Sequence, residues 1–272
     1  MSHYFDLKNY FKRVLCEHDV FMRLIILFLS CIPVIAQSSR VIAHRGYWRS
    51  GGVTENSLAS LVAAQKLGIY GSEFDVWLTA DGVAVIHHDA TINGKKIEET
   101  PYSEIRDYQL SNGEILPTLA AYLIVGSQNQ DTRLIMELKP HTDKKREDAL
   151  VKEALRLVEL YNVANHTEYI SFSKNICQQL HALAPDVQIS YLNGDMTPAQ
   201  VKEQGWTGID YNESVFRKNP EWVAEARNLG LTTNVWTVNK EESMTWSISL
   251  NIDFITTDEP EILLNLIKSA IL

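Results

Sequence analysis

The stretch at residues 72–89, SEFDVWLTADGVAVIHHD, is the one around which the rest of the chain is arranged. Glu73 and Asp75 stand at i and i+2, so in an extended strand their carboxylates share one face. Apolar residues lead on to Asp81-Gly82, a turn dipeptide between two apolar runs, which predicts a hairpin tip. The returning run at 83–86 ends in His87-His88-Asp89. Two acids and a His–Asp pair are thereby brought to the same end of a small piece of sheet. Locally, an exposed hairpin with solvated acids reads the same way. The apolar, β-rich flanks put the acids at the mouth of a core instead. An unpaired carboxylate there is costly and calls for a cation or another partner.

The 272 residues are 45% hydrophobic and 22% charged, enough for one substantial core. The net charge of -9, with no basic tract and no interleaving of aromatics with Arg or Lys, argues against a nucleic-acid partner. A phosphate-bearing ligand would need positive charge or a metal arranged locally. Cys16, Cys31 and Cys177 have neither metal-ligand spacing nor a disulfide framework.

Residues 24–36, LIILFLSCIPVIA, follow Met22-Arg23 and have the length of a signal peptide, short for a transmembrane helix. Val34 and Ala36 suit cleavage before Gln37, and Met22 reads as the true start. This predicts an extension and signal peptide over 1–36, a domain over 37–272, and a secreted or periplasmic protein without stable membrane insertion of the mature domain. A lipidated Cys31 is the weaker variant, because Phe28-Leu29-Ser30 is a poor lead-in.

From Arg40 onward strands and helices alternate. Strands are expected at 41–44, 72–77, 133–138, 168–172, 188–192, 207–211, 233–238 and 253–257. Helices are expected at 55–67, 118–125, 144–161, 174–183, 198–204, 220–229, 240–249 and 261–271. Thr54 and Thr197 serve as caps, and Gly68 and Gly230 as stops. Eight strand–helix units are the count of a (β/α)8 TIM-type barrel, with a small insertion after the second strand at about 83–116. A doubly wound open sheet is the competing architecture.

In such a barrel the functional groups sit at the C-terminal ends of the strands. Those places hold His44-Arg45-Gly46, Glu73 and Asp75, Glu137-Leu138-Lys139, Asn234, Trp236 and Asn239, and Thr256-Thr257-Asp258. Each has a plain structural reading: His44 in the core, Trp236 as filler, Glu137 and Lys139 as an ion pair, Asp258 as a cap for the last helix. Their shared position at one face is what points to a site.

The order His44-Arg45-Gly46, Glu55-Asn56-Ser57, Glu73-x-Asp75, His88-Asp89, Glu137-x-Lys139, Trp236-Thr237-Val238-Asn239 and Thr257-Asp258-x-Pro260 resembles the glycerophosphodiester phosphodiesterase family. The resemblance runs from about Val41 to the C-terminus. It implies a TIM-type barrel, a divalent cation, and hydrolysis of a small-molecule glycerophosphodiester to glycerol 3-phosphate and an alcohol. It further implies Glu73, Asp75 and Glu137 as ligands of Mg²⁺ or Ca²⁺, and His44 and His88 as the acid–base pair, with their individual roles open. Arg45 and Lys139 would contact phosphate, and Trp236 would wall the glycerol carbons. Thr54 and Ser57 stand where the family often has Pro and Thr. His87 precedes the His-Asp pair, and spacing from Asp75 selects His88. Two other readings share the barrel: a phospholipase C- or D-like activity on intact phosphoinositide or sphingolipid, and a barrel that binds phosphodiesters without turnover.

Overall fold

Side chains alternate between the two faces of a strand, so in a closed barrel every second residue points inward. That rule organises the whole molecule. The computed structural model describes residues 39–271; the apolar run at 24–36 and the start at Met22 lie outside the described residues. The elements are, in order, β1 (Arg40–Ala43), α1 (Leu58–Leu67), β2 (Gly71–Leu78), β3 (Ala84–Ile86), β4 (Thr91–Ile92), β5 (Lys95–Lys96), α2 (Leu119–Gly126), β6 (Arg133–Leu138) and α3 (Lys144–Leu160). There follow β7 (Thr167–Ser171), α4 (Lys174–Leu183), β8 (Ile189–Tyr191), α5 (Pro198–Glu203), β9 (Gly208–Asn212), α6 (Glu213–Lys218), α7 (Glu221–Asn228), β10 (Thr232–Trp236), α8 (Glu241–Ser249), β11 (Phe254–Thr257) and α9 (Pro260–Ile271).

Strands β1, β2, β6, β7, β8, β9, β10 and β11 pair in parallel, and β1 bonds both β2 and β11. The sheet is therefore a closed eight-stranded barrel, and the open doubly wound alternative is excluded. Inward apolar residues form one buried cluster that runs from Ile170 and Leu192, at the C-terminal end, through Ile135 and Ile42 to Phe254 at the strand starts. The Arg40 guanidinium closes that end, 4.2 Å from the ring centroids of both Tyr70 and Phe254. Outward positions, such as Phe74 and Val76 of β2 or Leu134 and Met136 of β6, pack into the larger core under the helices. With the lower barrel plugged by hydrocarbon, the polar inward residues are left at the C-terminal end.

The hairpin forms as the turn dipeptide predicts. β3 runs antiparallel to β2 with Trp77 opposite Val85, and Gly82 takes the left-handed φ of 85° that the turn requires. The insertion carries the short β4–β5 ribbon and its own buried cluster of Trp77, Val85, Ile92, Ile97, Ile105 and Leu116. Three local expectations need correction. α1 starts at Leu58, not 55, because Asn56 is left-handed (φ 55°) and Ser57, not Thr54, is the cap, its hydroxyl accepting from Ser60 N–H at 3.0 Å. Helix α6 was not expected at all; Asn212 caps it directly off the end of β9. Asp258 is no cap for α9, since its carboxylate serves other partners described below. Among the described residues no helix is long and apolar enough to cross a membrane.

Candidate active site

Residues Glu73, Asp75 and Glu137 converge because β2 and β6 are neighbours in register, Asp75 opposite Glu137. One oxygen from each lies within 4.8 Å of the others, and all three residues are buried. Asn56 clamps Asp75 twice: its amide donates to Asp75 Oδ2 at 2.8 Å, and its carbonyl accepts from Asp75 N–H at 3.1 Å. The backbone N–H of Arg45 donates to Glu73 Oε2 at 2.8 Å, while Glu73 Oε1 is buried without a hydrogen bond.

One ammonium faces these three acids. Lys139 Nζ lies 2.6 Å from Asp75 Oδ1 and 2.7 Å from Glu137 Oε1, so it sits inside the carboxylate group. Burial opposes ionisation of Asp75, but Lys139 and Asn56 outweigh it and hold that carboxyl below its usual range. Burial and the Asp75 charge push Glu137 up to about 7. Burial, with Asp75 and Glu137 close by, pushes Glu73 well above the ordinary range. With Lys139 as the one ammonium against three carboxyls, Glu73 and Glu137 hold protons that ordinary carboxylates lose, and one Glu73 oxygen is left unpaired. Hard oxygen donors, carboxyls that a single ammonium does not suffice to keep ionised and an orphaned acceptor fit a divalent cation such as Mg²⁺ or Ca²⁺.

Arg45 is left-handed (φ 55°), which turns its side chain along the rim. There it donates to Glu55 at 2.8 Å and lies 3.8 Å from Asp75. His44, on the residue after β1, meets Asp258, just past β11, at 2.8 Å through Nδ1. Asp258 also accepts from Trp48 Nε1 at 3.1 Å and Asn239 Nδ2 at 2.6 Å. His88 leaves the hairpin toward the same cavity and contacts Asp89 through Nδ1 at 2.8 Å. Burial depresses His88, only partly countered by Asp75. His87 turns away: its Nδ1 lies 3.0 Å from the Asp89 carbonyl, and its ring packs edge-on to Tyr108.

The two imidazoles, Arg45, Lys139, Glu73, Glu137 and Trp236 all border one cavity of about 130 Å³. Opposite the acids its wall is apolar, with Phe172 edge-on to Trp236 at 5.6 Å beside Ile170 and Leu192. Three contributors went unread in the sequence. Asn56 had its motif noted but no role. Phe172 and Asp210 both face inward by the same alternation that exposes Glu73 and Asp75, which is the signal that finds them.

Comparison with known proteins places the chain in a family. The sequence profile of the family described as glycerophosphoryl diester phosphodiesterase matches residues 44–262. A solved glycerophosphodiester phosphodiesterase from Parabacteroides distasonis superposes with a TM-score of 0.86 at 44% identity, covering 87% of this chain and 99% of that one. An Oleispira antarctica phosphodiesterase in complex with the product sn-glycerol-3-phosphate gives a TM-score of 0.71 at 27% identity, over 86% and 97% of the two chains. A glycerophosphodiester phosphodiesterase of Caldanaerobacter subterraneus is 28% identical over 245 residues, 85% of this chain and 98% of the relative. With the match spanning β2, β6 and every strand end that borders the cavity, this chain belongs to the glycerophosphoryl diester phosphodiesterase family, a family of phosphoric diester hydrolases.

Proposed function

We propose that the chain hydrolyses glycerophosphodiesters to glycerol 3-phosphate and an alcohol. The observation that carries this reading is the meeting of three buried carboxylates and two imidazoles around one small cavity. Glu73, Asp75 and Glu137 would hold Mg²⁺ or Ca²⁺, which when bound supplies charge neutralisation and polarisation at the phosphoryl oxygens. Arg45 and Lys139 add positive charge for the phosphate at the cavity edge. His44 and His88 move the protons: one imidazole takes a proton from the attacking oxygen and the other gives one to the departing alcohol. The Asp258 carboxylate accepts from His44 Nδ1–H and so leaves Nε2 free for proton transfer. Trp236 and Phe172 cover the carbon skeleton and keep water from that wall. The bound product in the Oleispira relative supports the product assignment. Export through the run at 24–36 belongs to the same reading, and sequencing the N-terminus of the mature protein tests it.

The deciding experiment is turnover of glycerophosphocholine, glycerophosphoethanolamine and glycerophosphoinositol after complete chelation, then with Mg²⁺ or Ca²⁺ restored. Activity is expected to vanish with the cation and return with it. It is expected to fall by about 10²-fold or more in His44→Ala and His88→Ala. Cleavage that survives chelation removes the cation from the reaction, and full activity in His88→Ala overturns the choice of that imidazole. Cleavage of intact phosphoinositide in place of all three diesters moves the assignment to a phospholipase.

A further inference from the structure

Asp210 borders the cavity, is 2% exposed, and has no task in the proton transfers just described. It sits on β9, across the barrel from the acids of β2 and β6. Its Oδ2 accepts from Asn234 Nδ2 of β10 at 3.0 Å. That same amide donates to Thr256 Oγ1 of β11 at 2.9 Å, and Thr256 returns a bond to Asn234 Oδ1 at 3.2 Å. Polar residues of β10 and β11 thus fix the carboxyl that β9 carries. The other oxygen, Oδ1, is buried with no hydrogen-bond partner. A buried polar atom left unpaired is costly, and one so firmly aimed calls for a partner that arrives from outside.

The surroundings say what kind of partner. Trp236 lies beside the carboxyl, its indole N–H donating to the Asp210 backbone carbonyl at 2.9 Å, with Phe172, Leu192 and Ile170 nearby on the wall. Aromatic and aliphatic surface next to one oxygen suits a short carbon chain bearing a hydroxyl. Burial, opposed by Asn234, raises the Asp210 carboxyl to about 8, so the group it meets at neutral pH is better a neutral hydroxyl than an ammonium. We infer that Asp210 is a specificity-determining residue whose Oδ1 hydrogen-bonds a hydroxyl of the glycerol moiety, so that the site selects polyol phosphates over alkyl phosphates of the same length. The inference rests on the phosphodiesterase reading for its substrate class.

Product binding tests it without depending on turnover. Calorimetric titration with sn-glycerol 3-phosphate and with n-propyl phosphate, in the presence of Mg²⁺, is expected to favour the hydroxylated probe by about tenfold or more in the wild type. In Asp210→Leu, similar in shape but without either oxygen, the ratio is expected to collapse to within about threefold. Asp210→Ala, checked for a cooperative melt, reads the same ratio should the leucine variant not fold. Equal affinities in the wild type, a ratio that persists in the variants, or equal weakening of both probes would each overturn the inference. A protein that distinguishes the two probes yet cleaves no diester would sink the phosphodiesterase reading and leave Asp210 in its role.

Discussion

Asp258 and Asp89 each hold an imidazole at 2.8 Å, but with unequal means. The Asp258 side chain is 12% exposed and held by Trp48 and Asn239, whereas that of Asp89 is 71% exposed. Water screens the second pair and much less the first. Asp258→Asn is therefore expected to lower kcat by about 10²-fold with KM within about threefold, because an amide facing Nδ1 favours the wrong tautomer. Asp89→Asn is expected to cost less than about tenfold. Steady-state kinetics on one diester compares them directly, and equal losses would refute the asymmetry. Asp258 also shows where sequence reading fails. Ahead of Pro260 it looks like a helix cap, while its partner His44 is 214 positions away and no local pattern connects them. Asp210 was missed differently: a single acid in the apolar run of β9 gives no motif. It leaves a thermodynamic mark. The folded protein keeps that proton to about pH 8, whereas the unfolded chain releases it above about pH 4. Folding takes up a proton in between, so this contribution is complete only at low pH and declines as pH rises toward 8, by about 1.4 kcal/mol per unit. Asp210→Asn cannot ionise, and its Tm is expected to gain on the wild type steadily from pH 5 to pH 8 in scanning calorimetry.

At the scale of elements, the β1–α1 connection does the most with the least regular structure. Arg45 and Asn56 are both left-handed, and Arg45 N–H and the Asn56 amide each hold one of the acids. Gly46 makes this path passable: its φ is 77°, and a Cβ there would lie 2.3 Å from Ser60 Oγ and 2.8 Å from the Ser60 backbone carbon. Gly46→Ala is expected to cost about 2 kcal/mol or more and to reduce activity with it, because the loop must shift under His44 and Arg45. Gly52 has a similar φ of 79° but open space around it, so Gly52→Ala is expected to cost only about 1 kcal/mol. Urea denaturation of both variants separates crowding from backbone strain. Strand positions and the inward set Glu73, Asp75, Glu137 and Lys139 were legible because period-two alternation is a local signal. The cap at Ser57 and the extra helix α6 were not, because each turns on one residue's backbone geometry or a side-chain bond that composition does not report.

Across the whole molecule, stability and site charge oppose one another. Three carboxylates and one ammonium share a water-poor pocket, an arrangement the fold tolerates more easily once a cation arrives. Millimolar Mg²⁺ or Ca²⁺ is expected to raise Tm by several degrees, and a chelator to reverse it, with the shift reduced in Glu73→Gln. A Tm indifferent to both ions would contradict the cation site.

The seam of the barrel carries one more consequence. Because β1 bonds β11, His44 and the carboxylate that orients it come from the first and last turns of the fold. A polypeptide still emerging from the ribosome has every acid of the cluster and His88 beside Asp89, but His44 lacks the carboxylate that orients it until the final strand is out. On the proposed role of His44, a product cut short before β11 is expected to be inert however well its earlier units have formed.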